Sequence, residues 1–218
     1  MTPLDIEWFK RCFDGDLVNG PLLDVGSARL EGGPNLCDVA RGLGLTETTG
    51  VDLKPGGGVD VVLDFGLQMD TFRRQSSLTG YSTACVFNVL EHTFDPITVL
   101  SNVLSCLSSD GTLLVVTPAI WPVHNYPGDY NRLLPDWYRQ FAELHHLKLI
   151  DEYFCWLSQF GIDPIASLQN EFPTYRSRGL SDSTPRYWIS RLGHRLLNTY
   201  GRSHWATHTA IGAAFNRM

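Results

Sequence analysis

Short apolar runs, each bounded by Gly, Pro or Asp, punctuate the first half of the chain. They lie at 21–25, 48–53, 59–63, 83–89 and 112–117. Runs of this length with such boundaries are typical of short buried strands. Strands buried in this way are covered on both faces, so the pattern predicts a sheet between two layers of helices.

Helical spacing occupies some of the intervals between these runs. Apolar residues recur at helical spacing over 36–43 and 96–107. Asp95 followed by Pro96 supplies an N-cap and a proline at the first helical position. Strands that alternate with helices are joined by right-handed crossovers, which predicts that the strands are parallel.

The last third of the chain predicts a different arrangement. A helix is expected at 135–146, a strand at 148–156 and a final strand at 207–215. The polar and aromatic segment 157–205 predicts a helical insertion in the final hairpin, where it would act as a substrate lid. Residues 1–218 are thus interpreted as one α/β domain, a doubly wound, mostly parallel, seven-stranded Rossmann-like sheet with a C-terminal antiparallel strand.

The composition favours a small-molecule ligand. A chain of 218 residues with 43% hydrophobic content is long enough to bury one substantial core. Its net charge of -6 comes without a cluster of Lys or Arg, which argues against nucleic acid or an anionic membrane as a partner. We expect a small-molecule substrate, no nucleic acid and no membrane. The oligomeric state stays open, with a homodimer as one alternative.

Cysteine usage and the N-terminal residues bear on the compartment. Five cysteines, an odd number, are scattered through mostly apolar sequence. That distribution matches neither a disulfide framework nor a zinc site. Residues 1–16 are acidic and contain no apolar core segment of a signal peptide, and no apolar run is long enough to cross a bilayer. A cytoplasmic location is predicted.

Acidic residues stand at the ends of three apolar runs. Asp24 is followed by the tight turn residue Gly26, Asp52 ends the second run, and Asp64 follows the third. Gly26 lacks a Cβ, so backbone N–H groups there can approach a ligand, and Asp52 is placed to accept hydrogen bonds from ribose hydroxyls. Such acids also serve as helix caps or turn formers, but three at strand ends favour a nucleoside site.

Several longer motifs accompany these acids. Residues 88–92 read NVLEH, residues 51–60 read VDLKPGGGVD, and residues 124–132 read HNYPGDYNR. In this order the signals resemble the class I S-adenosylmethionine-dependent methyltransferases of the small-molecule type. The resemblance covers 21–146, with a weaker match at 207–215. The turn departs from the usual family pattern of three alternate glycines, because Ala28 and Leu30 occupy the second and third positions.

The resemblance implies S-adenosylmethionine as the cofactor. The first acid and the turn after it would hold the methionine end, and the second acid would hold the ribose. The third acid and the aromatic residue after it would contact the adenine, while the end of the fourth strand would border the sulfonium. The cofactor contacts implied in this way are Asp24, Gly26, Ser27, Asp52, Leu53, Asp64, Phe65 and Asn88.

Two histidines are candidate catalytic bases. Methyl transfer from a sulfonium is an in-line displacement, so the protein mainly positions donor and acceptor. A hydroxyl acceptor benefits from a base, and histidine is the side chain best matched to neutral pH. His124 follows the fifth strand and His92 ends the NVLEH motif. Either histidine has a structural alternative, which for His92 is to tie the strand end to the next loop.

The HNYPGDYNR motif supplies candidate substrate contacts. Tyr126, Tyr130 and Arg132 are predicted to bind the acceptor. Alternatively, Arg132 pairs with Asp129 and pins the loop, which a bidentate ion pair does well.

No metal is predicted from the sequence. A divalent cation held by Glu91, His92, His124 and Asp129 is an alternative, but these residues lack the close spacing of a dedicated ligand set.

O-methylation of a hydroxylated acceptor, glycan-like or a natural product, is the predicted reaction. N-methylation of a small molecule and a non-catalytic binding protein of the same fold are the alternatives. The chain has no Gly-x-Gly-x-x-Gly turn after the first strand, no Gly-Lys-Ser/Thr phosphate loop and no Gly-x-Ser-x-Gly element. Nicotinamide-dependent oxidoreductases, nucleoside triphosphatases and hydrolases of those classes are therefore disfavoured.

Overall fold

The computed structural model describes residues 1–29, 33–124, 128–158, 161–165 and 209–217. Its helices in these ranges are α1 (Pro3–Asp14), α2 (Leu36–Gly42), α3 (Met69–Gln75), α4 (Pro96–Cys106) and α5 (Pro135–Leu144). Its strands are β1 (Leu22–Val25), β2 (Thr48–Asp52), β3 (Val61–Val62), β4 (Tyr81–Phe87), β5 (Leu107–Ile120), β6 (Leu147–Leu149), β7 (Cys155–Ser158), β8 (Gly161–Pro164) and β9 (Thr209–Arg217).

The strands form one mixed sheet in the order β3-β2-β1-β4-β5-β9-β7-β8, and β6 pairs with β9 beside this path. The first five strands are parallel, whereas β9 is antiparallel to β5. This confirms the predicted doubly wound, mostly parallel sheet with a C-terminal antiparallel strand. Because β1 lies between β2 and β4, their carboxyl ends meet at one edge, where open α/β sheets bind ligands.

Alternating residues of the central strands bury two separate hydrophobic clusters. Leu113 and Val115 of β5 face the cluster formed with α3, α4 and α5. Leu114 and Val116 of the same strand face the cluster formed with α1 and α2. The side-chain period of two therefore places helices on both faces of the sheet, as the apolar runs predicted.

Helix α1 is an element that the hydrophobic pattern alone did not predict. A capping box starts it, in which Thr2 and Asp5 satisfy each other's backbone N–H groups. Trp8, Phe9 and Cys12 are fully buried on one face of the helix. Their helical spacing after a Thr-Pro start was the available signal, but the charged residues between them interrupt the apolar pattern. Helix α3 was missed as well.

The predicted strand at 148–156 is two strands in the structure. A 3₁₀ turn over Asp151–Tyr153 separates β6 from β7, and both strands pair with β9 in succession. The predicted insertion also starts differently, because 157–158 complete β7 and Gly161–Pro164 form β8 in a hairpin with it. These additions give nine strands in the parts of the chain described, instead of seven. The rest of the predicted insertion, from 166 onward, lies outside those parts.

The described ranges contain neither a disulfide nor a membrane-spanning helix. All five cysteines are unpaired and buried. Among the helices of the described ranges, none is long and apolar enough to cross a membrane.

Substitution of Gly212 tests the packing of α1 on the sheet. A Cβ on Gly212 of β9 would lie 2.6 Å from Cε2 of Trp8, whose indole is fully buried. We expect Gly212→Ala to lower the free energy of unfolding by about 1–3 kcal/mol, because the indole has no room to move aside. Chemical denaturation followed by circular dichroism measures the change.

Gly42→Ala is the matched control for this substitution. Gly42 ends α2, and a Cβ there would meet nothing within 4 Å. Since alanine favours the helix, we expect the free energy of unfolding to stay level or to rise by up to about 1 kcal/mol. Equal destabilisation by both substitutions would contradict the tight contact between Trp8 and β9.

Candidate active site

Three acids predicted to hold a nucleoside stand on neighbouring strands at the carboxyl edge of the sheet. Asp24 of β1 lies opposite Gly50 of β2, and Asp52 follows two residues further along that strand. Asp52 in turn lies opposite Val62 of β3, and Asp64 follows two residues later. The parallel register therefore brings the three acids to successive positions along one edge.

Asp24 is buried and bonded to the start of α2. Its side chain is only 3% exposed, and its Oδ2 accepts backbone N–H bonds from Leu36 at 3.1 Å and Cys37 at 3.4 Å. Burial raises the pKa of Asp24 to about 7, although these two hydrogen bonds oppose the shift. The geometry gives Asp24 the role of a tie between β1 and α2, while its contact with the methionine end of a cofactor stays a prediction.

The turn after β1 has no room for a side chain at Gly26. Gly26 has φ +85°, and a Cβ there would lie 2.3 Å from Cγ2 of Val89. The N–H groups of Gly26 and Ser27 both donate to the carbonyl of Val51, at 2.8 and 3.1 Å. Ser27 is 1% exposed, and its hydroxyl has no hydrogen-bond partner in the described part of the chain. A glycine-only turn beside an orphaned hydroxyl fits the methionine end of the implied cofactor.

The end of β2 carries a carboxylate beside an exposed apolar side chain. Asp52 is half-buried, and its Oδ2 accepts the N–H of Ala28 at 3.1 Å, which joins the turn after β1 to β2. Leu53 directly follows it and is 54% exposed. An acid for ribose hydroxyls next to an uncovered apolar group fits one face of a nucleoside.

The two predicted adenine contacts differ in their surroundings. Asp64 is exposed, and its Oδ1 accepts the N–H of Gly66 at 2.7 Å. Phe65 is only 5% exposed, and its ring centroid lies 4.9 Å from that of Phe72 in the core. The aromatic ring of Phe65 thus packs the helix layer, and Asp64 is the residue of this pair that faces outward.

Asn88 connects the sheet edge with helix α1. It follows β4 with φ +54°, and its N–H donates to the carbonyl of Val116 at 2.8 Å. Its side-chain amide donates to Oδ2 of Asp5 at 2.9 Å, and Asp5 is only 1% exposed. Asp5 was missed from the sequence because α1 was not predicted, although the capping box pointed to a helix start.

Glu91, His92 and His124 form a compact group that two loops bring together. Nε2 of His92 lies 3.6 Å from Oε1 of Glu91, and the rings of the two histidines meet edge to face at 4.9 Å. Nδ1 of His92 is hydrogen-bonded to the carbonyl oxygen of Gly128. Glu91 is 1% exposed, and burial raises its pKa to about 7. We refer to Glu91, His92 and His124 as the imidazole cluster.

The loop that carries His124 is held by an ion pair. The Asp129 carboxylate, 2% exposed, accepts two hydrogen bonds from the Arg132 guanidinium, one of them at 2.6 Å, and a third from the His124 N–H at 2.9 Å. Arg132 keeps the pKa of Asp129 well below its usual range. Of the two alternatives for Arg132, the geometry shows the ion pair.

Of the two tyrosines predicted to bind substrate, Tyr130 lies within the described part of the chain. Tyr130 is 60% exposed, its ring lies edge-on to Phe94 at 6.2 Å, and its N–H donates to the Glu91 carbonyl at 2.7 Å. Tyr126 lies outside the described residues.

Residues 6–161, well over half of the chain, match a family described as methyltransferase domain. The chain belongs to this family. The resemblance found in the sequence is thereby confirmed, and the cofactor that membership implies is S-adenosylmethionine. No curated protein sequence matches the chain significantly.

Solved structures share the fold of this methyltransferase domain at low sequence identity. An S-adenosylmethionine-dependent methyltransferase from Archaeoglobus fulgidus is 14% identical, with a TM-score of 0.52 over 98% of this chain and 94% of that one. The 4+2 cyclase SpnF is also 14% identical, with a TM-score of 0.53 over 96% and 80%. The 1,6-didemethyltoxoflavin-N1-methyltransferase of Burkholderia thailandensis, bound to S-adenosylhomocysteine, is 13% identical, with a TM-score of 0.51 over 90% and 71%.

Gly26→Ala tests the turn of the methyltransferase domain. The new Cβ would collide with Val89, so the turn would have to shift at the edge of the sheet. We therefore expect the affinity for S-adenosylhomocysteine to fall at least tenfold, which corresponds to a loss of binding free energy on the order of 1.4 kcal/mol or more. Isothermal titration calorimetry measures it. Gly44→Ala is the matched control, since Gly44 also has positive φ, +97°, but a Cβ there meets nothing within 4 Å. Equal loss in both variants would mean that backbone strain, and not the clash with Val89, is responsible.

Asp24→Asn tests the buried carboxyl through the pH dependence of stability. Because the folded-state pKa of Asp24 is raised from 3.8 to about 7, the native protein holds a proton that the unfolded chain releases within this window. Its contribution to stability is therefore present at low pH and is lost as the pH rises. We expect the unfolding free energy of Asp24→Asn to decline less steeply between about pH 4 and 7, by up to about 1.4 kcal/mol per pH unit.

Glu91 keeps its own pH dependence in both proteins, so the difference between the two curves isolates Asp24. Asp110→Asn, at an exposed position of β5, is the control and should leave the slope of the wild-type curve unchanged. Parallel curves for the wild type and Asp24→Asn would show that Asp24 is ionised in the folded protein.

Proposed function

We propose that this protein transfers the methyl group of S-adenosylmethionine to a hydroxyl group of a small molecule. Membership of the methyltransferase domain family supports the donor. The observation that carries the choice of a hydroxyl is the imidazole cluster. Its members Glu91 and His92 follow β4, and its member His124 follows β5, at the same edge of the sheet as the predicted nucleoside contacts. When bound, S-adenosylmethionine supplies an electrophilic methyl group on its sulfonium.

We assign each part of the cofactor to a different strand end. Asp52 holds the ribose, and Leu53 with Asp64 borders the adenine. The turn at Gly26 and Ser27 faces the methionine end. This assignment is supported by the exposed side chains after β2 and β3 and by the absence of room for a Cβ at Gly26.

His124 is the residue that we assign to accept the proton of the hydroxyl. Its side chain is 39% exposed, whereas that of His92 is 17% exposed and bonded to Gly128. Nδ1 of His124 lies 3.4 Å from Oδ2 of Asp129, so this carboxylate orients the ring and leaves Nε2 toward the acceptor. His92 and Asp129 then act as positioning residues.

The surroundings of the imidazole cluster favour an acceptor with an apolar or aromatic body. Phe94 and Val123 lie within two residues of His92 and His124 in the chain, and the N–H of Tyr130 donates to the Glu91 carbonyl. All three side chains are between 60% and 86% exposed. A set of uncovered apolar groups beside a catalytic group is typical of a site for such a ligand. A hydroxylated natural product fits this rim better than a bare glycan, which presents few apolar surfaces.

The unpaired cysteines support a reducing compartment, and the cytoplasm remains our proposed location.

Two substitutions separate cofactor binding from turnover. We expect Asp52→Ala to weaken S-adenosylhomocysteine binding by about tenfold or more, because a hydrogen-bond acceptor for the ribose is lost. His124→Ala should preserve that binding and lower kcat by about 10²- to 10⁴-fold, as for loss of a general base. Calorimetry measures binding, and transfer of a labelled methyl group to a panel of phenols, catechols, aliphatic alcohols and amines measures turnover.

His146→Asn is the control for these variants, because His146 is exposed, far along the chain from the cluster, and asparagine tolerates its left-handed backbone. Equal loss of binding and turnover in His124→Ala would refute the role of His124 as base. Turnover confined to amines would favour N-methylation. A wild-type protein that binds no S-adenosylhomocysteine would favour a non-catalytic binding protein.

A further inference from the structure

The imidazole cluster has the composition and the spacing of a metal-ligand set. One oxygen of Glu91 and one ring nitrogen from each of His92 and His124 all lie within 4.8 Å of one another. An ion at the centre of such a triangle would lie at most about 2.8 Å from each donor, so each donor needs to move inward by less than about 1 Å to reach bonding distance.

The outer hydrogen bonds of both histidines leave the same ring nitrogen available. Nδ1 of His92 faces the carbonyl oxygen of Gly128, which can only accept, so this nitrogen carries the hydrogen. Nδ1 of His124 lies 3.3 Å from the Pro122 carbonyl and 3.4 Å from Oδ2 of Asp129, again two acceptors. In each ring the lone pair is therefore on Nε2, and a carbonyl or carboxylate holds the opposite side, as for histidines that ligate metals.

The Glu91 carboxylate is the independent observation that calls for a ligand. The residue is 1% exposed, and its Oε2 has no hydrogen-bond partner within the described ranges. Its Oε1 faces Nε2 of His92 at 3.6 Å, so a lone pair of the imidazole is directed toward a carboxylate. A buried carboxylate in this position is stabilised by a cation between the two groups.

We propose that Glu91, His92 and His124 together bind one divalent cation. Two imidazole nitrogens and one carboxylate oxygen select a first-row transition ion such as Mn²⁺, Fe²⁺, Co²⁺ or Zn²⁺ over Mg²⁺, which prefers oxygen ligands. Three protein ligands on one side leave further coordination positions open. Asp129 is not a fourth ligand, because its carboxylate pairs with Arg132 and faces Nδ1 of His124.

The role of the cation rests on the proposed function. A hydroxyl acceptor coordinated at an open position becomes more acidic, because the cation stabilises the alkoxide or phenolate. The O–H bond would break with its proton leaving to water, and the oxygen would bond to the methyl carbon as the carbon–sulfur bond breaks, with that electron pair remaining on the sulfur of S-adenosylhomocysteine. In the loaded protein His124 is then a ligand, and activation of the hydroxyl passes from the imidazole to the cation.

Binding of Mn²⁺ to protein first dialysed against a chelator tests the proposal without any turnover assay. Mn²⁺ avoids the buried cysteine thiols, and loss of the free-ion signal in electron paramagnetic resonance reports its binding. We expect one Mn²⁺ per wild-type chain, with binding weakened about tenfold or more in His124→Ala and in Glu91→Gln. His146→Asn should bind Mn²⁺ as tightly as the wild type.

Co²⁺ provides a second reading of the same site, since its visible absorption depends on the donor atoms. The wild type should show a Co²⁺ band that His124→Ala alters. The proposal is overturned if the wild type binds no Mn²⁺, or if His124→Ala and Glu91→Gln bind it as tightly as the wild type. His124 is partly exposed, so its alanine variant keeps the test readable even where Glu91→Gln does not fold.

Failure of this proposal and failure of the proposed function give different results. S-adenosylhomocysteine binding without Mn²⁺ binding refutes the cation and leaves His124 as the base. Mn²⁺ binding that depends on the cluster, in a protein that binds no S-adenosylhomocysteine, supports the metal site and refutes the proposed methyl transfer.

Discussion

The tight passage of the chain between β1 and the end of β4 is the constraint on which the site depends. A side chain at Gly26 would lie 2.3 Å from Val89, so only bare backbone passes there. Since β1 pairs with β2 on one side and β4 on the other, this passage lies where the ends of three strands border the proposed cofactor site. Val89 stands two residues before Glu91 in the chain, so the passage at Gly26 and the segment that carries Glu91 and His92 are adjacent.

The buried carboxylates near this edge differ in their hydrogen bonds. Two of them are bonded to neighbouring groups, whereas one oxygen of the third has no hydrogen-bond partner in the described chain. Asp24 accepts hydrogen bonds from the start of α2, and Asp5 accepts them from Thr2 and Asn88. These two acids hold helices against the sheet, and their burial costs are offset by the bonds. Glu91 is equally buried but keeps one oxygen without a partner in the described chain. Buried polar groups without hydrogen-bond partners are found mainly at functional sites, where they lower stability but serve binding or catalysis.

The fold alone does not specify the chemistry. The solved structures that share it include methyltransferases and the cyclase SpnF, at identities low enough to indicate the fold and nothing more. What distinguishes one member from another is the set of side chains on the loops after the strands. In this chain those loops carry two imidazoles, a buried carboxylate and exposed apolar groups, and our proposals derive from that combination.

Local sequence patterns determined the architecture of the first half of the chain and the identity of the family. The apolar runs, the turn at Gly26 and the acids after the strands record burial and backbone geometry over a few residues, and the structure places strands at all five predicted runs. The motifs at 88–92 and 124–132 likewise identified Glu91, His92 and His124 as residues of interest.

Tertiary structure alone decided which of these residues meet. The contact between His92 and His124, the tie between Asp24 and α2, and the link between Asn88 and Asp5 all join segments that are distant in the chain. It also decided that β6 and β7 share β9 as a partner. A local pattern reports whether a side chain is buried, but the group against which it is buried depends on strand register and loop packing, and those arise from contacts across the whole fold.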